Sequence, residues 1–323
     1  MFYFYLSVKI YRSIDKIKLI SRLEYAEIID ISQFTSITKY ENLLYYKYTQ
    51  SKPYNLNITV DNEHQELVLE FTGKVLLERY RELINIETIS YCLENINRLN
   101  IIKLNTHQII IDSQVCLCDA TKDIIIDTDI KDMIAQIKTM ISSYDKWKYK
   151  PYSGGIDISN CAKTKRHKKR IIIYDKYEEM KMATNREFLK TISNGEEMLN
   201  SFKNVKRFEL NINTMEQIRT LLEIKDNSLL SVLNSTANPI LTIIDKILIE
   251  KSLISNKDIT IDELPRQALL EKYEYDLGKI EMVIRQHSAK TTSIKKAMQP
   301  YKNLIRKLES LENTAIDFRA LVA

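Results

Sequence analysis

The run "VKRFELNIN", Val205–Asn213, constrains the fold more than any other stretch of the chain. Neighbouring side chains on a β-strand point to opposite faces. Phe208, Leu210 and Ile212 therefore face one way, and Arg207, Glu209 and Asn211 face the other. "NITVDNEHQELVLEFTG" reads as two strands around a turn at Asp61–His64, closed by Gly73. "THQIIIDSQVCLCDATKDIIID" reads as strand-rich, and "RIIIYDK" is a short β-branched strand. Pro151 and the Gly154–Gly155 pair mark a turn before a further strand. Helical spacing appears in "KVLLERYRELI", "ETISYCLENINRLN" and "DIKDMIAQIKTMISSY". From Glu216 the pattern stays helical. "LPRQALLEKYEYDLGKIEMVIRQH" carries Leu270, Tyr273, Leu277, Ile280 and Ile284 on one face, and "YKNLIRKLESLENTAI" forms another helix. The expected fold is α+β. A mostly antiparallel sheet over residues 101–213 is flanked by helices and followed by a helical C-terminal region.

A chain of 323 residues accommodates two or three domains. We divide it into an α+β region at 1–98, a second region at 99–225 and a helical region at 226–323. Hydrophobic residues make up 44%, which is enough to build a core. The net charge of +5 is too small to imply a polyanionic partner by itself, so clustering of charge matters more. The four cysteines, Cys92, Cys116, Cys118 and Cys161, have no C-x-x-C pair and read as reduced thiols of an intracellular chain. The N-terminus, "MFYFYLSVKIYRSID", alternates like a strand and lacks the features of a signal peptide. No apolar run reaches roughly 18 residues, so no membrane span is expected. The expected location is cytoplasmic.

Several enzyme classes are excluded. The sequence has no G-x-x-x-x-G-K-[ST], no G-x-G-x-x-G and no G-x-S-x-G. The histidines, His64, His107, His167 and His287, form no H-x-H or H-x-x-x-H pair. This removes zincin chemistry and paired-histidine metal sites.

Charged residues gather in "KTKRHKKRIIIYDKYEEM", Lys163–Met180, where six of the first eight residues are basic. They are Lys163, Lys165, Arg166, Lys168, Lys169 and Arg170. The strand that follows ends on Tyr174. A phenol ionises near pH 10 and needs a cation or base to act as a nucleophile. Lys176, two residues on, shares its face if the strand continues. In "VCLCDATKDI", Asp119 falls on the face of Val115 and Leu117, where a carboxylate is costly unless paired or metal-bound. Glu209 shares a face with Arg207. Each residue has a plainer alternative. Tyr174 can be a strand-end tyrosine, one of 19 in the chain. Asp119 can cap a turn, Glu209 can pair with Arg207, and the basic run can be a solvated loop.

The ordered series "CDATKDI", "RIIIYDKYEEM" and "VKRFELNIN" resembles the phage/plasmid replication protein II/X family, the filamentous-phage type of rolling-circle initiator. The likeness is best over residues 100–225. "LVLEFTGKVLLERYREL" fits the family's N-terminal part, and the C-terminal helices match loosely. The resemblance implies an enzyme that nicks and rejoins one strand of origin DNA through a 5′-phosphotyrosine. It implies Tyr174 as nucleophile, with Lys176 and Glu179 in its motif and Glu178 and Tyr177 as neighbouring alternatives. Arg207 joins them on the downstream strand, and Asp119 and Glu209 hold Mg²⁺ or Mn²⁺, a hard cation suited to carboxylate oxygens. The basic run then grips DNA. Implied partners are double-stranded origin DNA, single-stranded DNA, a host helicase and a single-strand-binding protein, with no membrane. The alternative is a non-catalytic origin-binding regulator on the same scaffold.

Overall fold

A computed structural model of the protein describes residues 13–38, 44–50, 52–141, 147–164, 168–248, 259–287, 291–312 and 316–323. Lys165 and Arg166 of the basic run, and residues 1–12 of the strand-like N-terminus, lie outside the described residues. The strands are β1 (Ile14–Arg22), β2 (Ala26–Ile28), β3 (Thr35–Thr38), β4 (Leu44–Gln50), β5 (Leu56–Asp61), β6 (Glu66–Thr72), β7 (Ile102–Leu104), β8 (Gln114–Ile125), β9 (Trp147–Tyr152), β10 (Gly155–Asn160), β11 (Arg170–Asp175) and β12 (Val205–Ile212). All but β2 and β7 join one ten-stranded sheet in the order β3-β4-β5-β6-β1-β8-β12-β11-β10-β9. Every pairing in it is antiparallel. The expected α+β fold with a mostly antiparallel sheet is what the chain forms.

The sheet runs straight through residue 98, because β1 sits between β6 and β8. The compact units part elsewhere than after residues 98 and 225. One unit ends at Ile247 and includes Arg319–Ala323, and the other is Leu248–Phe318. The first unit has helices α1 (Ile89–Arg98), α2 (Thr106–Asp112), α3 (Ile130–Met140), α4 (Lys176–Met180), α5 (Ala183–Thr191), α6 (Gly195–Ser201), α7 (Met215–Leu222), α8 (Leu229–Asn234) and α9 (Pro239–Ile247). No described helix is long and apolar enough to cross a membrane.

The two faces of the central strands have different roles. Ile156 and Ile158 of β10, Ile171 and Ile173 of β11, and Phe208, Leu210 and Ile212 of β12 are fully buried. Helix α3 packs on β10, α7 on β8 and α9 on β8 and β12, bringing Met133, Ile137, Ile218, Ile243 and Ile244 into the core. The opposite face holds the charged residues. Part of it is covered by the 3-10 turns at Gly73–Glu82 and by α4–α6.

Four local readings differ from the structure. "THQIIID" is helix α2 rather than strand, because the Asn105 side chain accepts from the Gln108 amide and caps a helix start. "KVLLERYREL" forms 3-10 turns rather than an α-helix, since Leu77 has left-handed φ of 57° and interrupts the helical ladder. A bulge in β8 places Val115 opposite Leu19 and Leu117 opposite Lys18, with Cys116 as the extra residue. Val115 therefore turns to the core, and Asp119 stands on the polar face with Thr121 and Asp123. In the second unit, the long helical run splits into α10 (Leu264–Lys272) and α11 (Leu277–His287). Glu274 and Tyr275 take left-handed φ, and Asp276 accepts from the amides of Gly278 and Lys279 to start α11. Leu270 and Ile280 lie in that unit's core with Ile294, Met298 and Leu304 of α12 (Thr291–Glu312).

Phe208 sits at the centre of the apolar face. Phe208→Ala is expected to destabilise the protein by about 3–5 kcal/mol, read by denaturant unfolding, because it leaves a cavity that the flanking isoleucines cannot fill. A loss below about 1 kcal/mol would show that this face is loosely packed.

Candidate functional site

Antiparallel pairing aligns the polar face in three rows across five strands. Tyr152, Gly155, Tyr174, Arg207 and Asp123 form one row. Lys150, Asp157, Ile172, Glu209 and Thr121 form the next. Lys148, Ser159, Arg170, Asn211 and Asp119 form the third, with Lys16 of β1 opposite Asp119. The three sequence motifs are thus brought to one surface.

The Tyr174 hydroxyl donates to Glu209 Oε2 at 3.0 Å. Burial, and then the Glu209 charge, hold this phenol well above its ordinary pKa, so it is neutral at rest. Glu209 is itself pushed up to about 7 by burial and by the charges of Asp15 and Asp119. Asp119 is pushed up to about 6, mainly by burial, although the Asn211 amide donates to it at 2.8 Å. Two desolvated carboxylates on adjacent strands thus titrate closer to neutral pH than ordinary carboxylates do.

The cations of the motif are used inside the fold. Arg207 is fully buried. Its Nε and Nη2 donate to the two oxygens of Asp123 at 2.6 and 2.8 Å, and Nη1 donates to Asp15 at 2.9 Å. Burial opposes its charge, but Asp123 and Tyr80 raise its pKa well above the ordinary value. Lys176 is 2% exposed and donates to the Tyr80 hydroxyl at 2.8 Å and to Glu179 at 2.7 Å. Glu179 also accepts from Asn185 at 2.6 Å, and Lys74 donates to Asn185 at 2.6 Å.

Lys176 does not continue the strand. The chain turns into α4 at Asp175, whose side chain accepts from the Glu178 amide while its other oxygen takes Lys206 at 2.6 Å. Glu179 follows Lys176 by one helical turn, so the pair is an i,i+3 bridge. Glu178 is exposed and bonds Lys181 at 2.7 Å. Tyr177 packs against the cluster around Phe188 and Phe202.

The basic run lies at the opposite end of β11 from Tyr174. The four residues from Arg170 to Tyr174 span roughly 13 Å at about 3.3 Å each, so the run does not adjoin the tyrosine as its sequence position suggests. Lys163 and Lys168 are exposed, and Lys169 is half-buried. Arg170 is bound to Asp157 at 2.7 Å and to Asn211 at 3.0 Å.

Asp119 and Glu209 offer two carboxylates to a cation. Hard oxygen donors suit Mg²⁺ or Mn²⁺, and their raised pKa values are the mark of negative charges placed together out of water. Among the described residues, three metal-capable groups come together only at Asp61, Glu63 and His64. That cluster is the β5–β6 turn itself, with Asp61 accepting from the amides of Glu63 and His64.

Sequence reasoning missed Asp15, Tyr80 and Tyr152. Asp15 and Tyr80 reach the site from distant segments, and no local pattern marks them. Tyr152 had a signal, the Lys-x-Lys-x-Tyr alternation of "WKYKPY". No family model, curated protein or solved structure matches the chain.

Arg207→Met removes the cation shared by the part-buried carboxylates of Asp15 and Asp123. A loss of about 3–5 kcal/mol is expected in denaturant unfolding. Arg207→Lys should recover little of it, because an ammonium cannot make the forked contact. Near-normal stability of either variant would show that the network is not what the sheet rests on.

Glu209 and Asp119 carry raised folded-state values, so they stabilise the fold at low pH and lose that contribution as pH rises through about 6–7. Glu209→Gln should therefore gain on wild type as pH rises from 5 to 8 without divalent cation, reaching about 3 kcal/mol at pH 8. A constant offset between the two across this range would show that Glu209 titrates as an ordinary carboxylate.

Proposed function

We propose that the chain is a rolling-circle replication initiator of the replication protein II/X type, nicking and rejoining one DNA strand with Tyr174. The observation that carries the reading is the Tyr174–Glu209 hydrogen bond, with Asp119 on the neighbouring strand. A phenol needs its proton removed as it attacks, and a carboxyl with pKa about 7 is suited to take it near neutral pH. The phenol oxygen forms a bond to phosphorus as the bond from phosphorus to the 3′-oxygen breaks. The phenol proton passes to Glu209, and the departing 3′-oxygen takes a proton from water to become a hydroxyl. The product is a 5′-phosphotyrosine, and the reverse step reseals the strand. Asp119 and the second oxygen of Glu209 would hold Mg²⁺ or Mn²⁺, which supplies charge neutralisation for the phosphate. Arg207 and Lys176 act as positioning residues, since both are paired inside the fold. The reading implies origin DNA and single-stranded DNA as substrates, a host helicase and single-strand-binding protein as partners, and a cytoplasmic setting.

A second reading, a non-catalytic DNA-binding regulator, is favoured by the 8% exposure of Tyr174. The two readings separate in one experiment. Wild type is incubated with supercoiled and single-stranded DNA of its replicon and Mg²⁺ or Mn²⁺. The initiator reading expects an open circle bearing protein on its 5′ end. Tyr174→Phe should abolish this adduct and shift stability by about 1 kcal/mol or less. Tyr177→Phe should leave the first cut intact. Mg²⁺ should raise the melting temperature of wild type at pH 8 and leave Asp119→Asn unchanged. A wild type that gives no adduct with either ion would leave the regulator reading in its place.

A further inference from the structure

The outermost strand, β9, pairs only with β10 and ends the sheet. Its residues Lys148, Lys150, Pro151 and Tyr152 are exposed. Antiparallel register puts Lys148, Lys150 and Tyr152 on the face that carries Tyr174. Neither lysine makes an ion pair among the described residues. Asp157, opposite Lys150, is already taken by Arg170 at 2.7 Å. Tyr152 is 42% exposed and leans over Gly155. A Cβ on Gly155 would stand 2.6 Å from the Tyr152 hydroxyl oxygen and 2.7 Å from the Tyr174 Cβ. The missing side chain at Gly155 is thus what lets Tyr152 lie beside Tyr174. Burial, and then the charges of Asp157 and Glu209, push the Tyr152 phenol up to about 12, so it stays neutral and uncharged toward a phosphate.

Lysines on an edge strand commonly guard against edge-to-edge aggregation. That role accounts for the lysines but not for an exposed tyrosine laid over a glycine at the entrance to a buried one. A row of cations ending in an aromatic ring fits a single nucleic-acid strand, with phosphates on the ammonium groups and a base on the ring. Alternate residues on a strand repeat at roughly 6.6 Å, a spacing that an extended sugar–phosphate backbone can follow. Lys148 also shares a row with Arg170, the last residue of the basic run.

We propose that β9 is the track on which single-stranded DNA enters the site, Lys148 and Lys150 contacting phosphates and Tyr152 stacking a base in front of Tyr174. This rests on the DNA reading of the same site, but its test reads binding and not cleavage. The full chain is titrated with labelled oligothymidylate in EDTA across a range of KCl, with fluorescence anisotropy as the readout. Lys148→Gln/Lys150→Gln is expected to lower the log–log salt slope by about 1.4, at roughly 0.7 per lost phosphate contact. Tyr152→Leu should weaken binding about tenfold, while Tyr152→Phe, which keeps the ring, should bind as wild type. A Lys103→Gln/Lys225→Gln control, on exposed positions outside the ten-stranded sheet, should match wild type. Unchanged slope and affinity in the β9 variants, or a wild type that does not bind the oligonucleotide, overturns the proposal. Binding lost in the β9 variants while wild type forms no adduct would leave the track standing and remove the nickase. Normal adduct formation by β9 variants with unchanged binding would do the reverse.

Discussion

The buried guanidinium of Arg207 is the interaction on which the rest of the first unit depends. It sits on the central strand of the polar face and touches β8 through Asp123, β1 through Asp15 and the Gly73–Glu82 turns through Tyr80. Only arginine has enough donors in a fixed fork to satisfy these partners together. From Tyr80 the network continues to Lys176, Glu179, Asn185 and Lys74, which ties α4 and α5 over the sheet. A buried ion network of this kind adds little stability against a wholly apolar replacement of all its members, but it fixes one arrangement of the elements around it. Here the arrangement sets where Tyr174 stands, directly opposite Arg207 on β11.

The two faces of the sheet divide the work between them. Isoleucine, phenylalanine and leucine on one side bury enough apolar surface to hold charged residues on the other out of water. Without the helices α3, α7 and α9 on the apolar face, the polar face would have no rigid support. The same support sharpens its electrostatics, because fixed dipoles and charges in a partly dry site act more strongly than in solution. The Tyr174–Glu209 bond is a case in point. In water that pair would exchange with solvent, whereas here both partners stand on adjacent strands whose register admits one geometry.

The fold was legible in the sequence wherever a short pattern decides the outcome. Alternation in Val205–Ile212 reports both faces of β12, and the Asp61–His64 turn appears where its strands predict it. Legibility failed where one capping or bulging residue overrides the pattern. Asn105 turned an isoleucine run into a helix, Cys116 moved Val115 to the opposite face, and Asp175 ended the strand on which Lys176 was expected to continue. The site was legible in part for the same reason. Residues on the three motif strands were recoverable by position. Asp15 and Tyr80 entered only through the three-dimensional closure of β1 and the 3-10 turns on β12, which no local spacing encodes.

The charge balance of the site narrows what can be bound there. Arg207 and Lys176 face Asp15, Asp123 and Glu179, and Asp119 and Glu209 add further carboxylates. Burial first, and neighbouring carboxylates after it, raise the last two to about 6 for Asp119 and about 7 for Glu209. A phosphate approaching Tyr174 would add negative charge to the same space. Arg207 and Lys176 cannot turn to meet it without abandoning buried partners, at a cost of several kcal/mol. A phosphate must therefore arrive with a cation of its own or with the carboxylates protonated. A divalent ion on Asp119 and Glu209 would meet that requirement. The lysines of β9 meet it only outside the pocket, where the strand is exposed and the charge is screened. On the proposed reading, a divalent ion and the basic track would serve different stretches of one strand, the ion the phosphate that reacts and the lysines those that follow it.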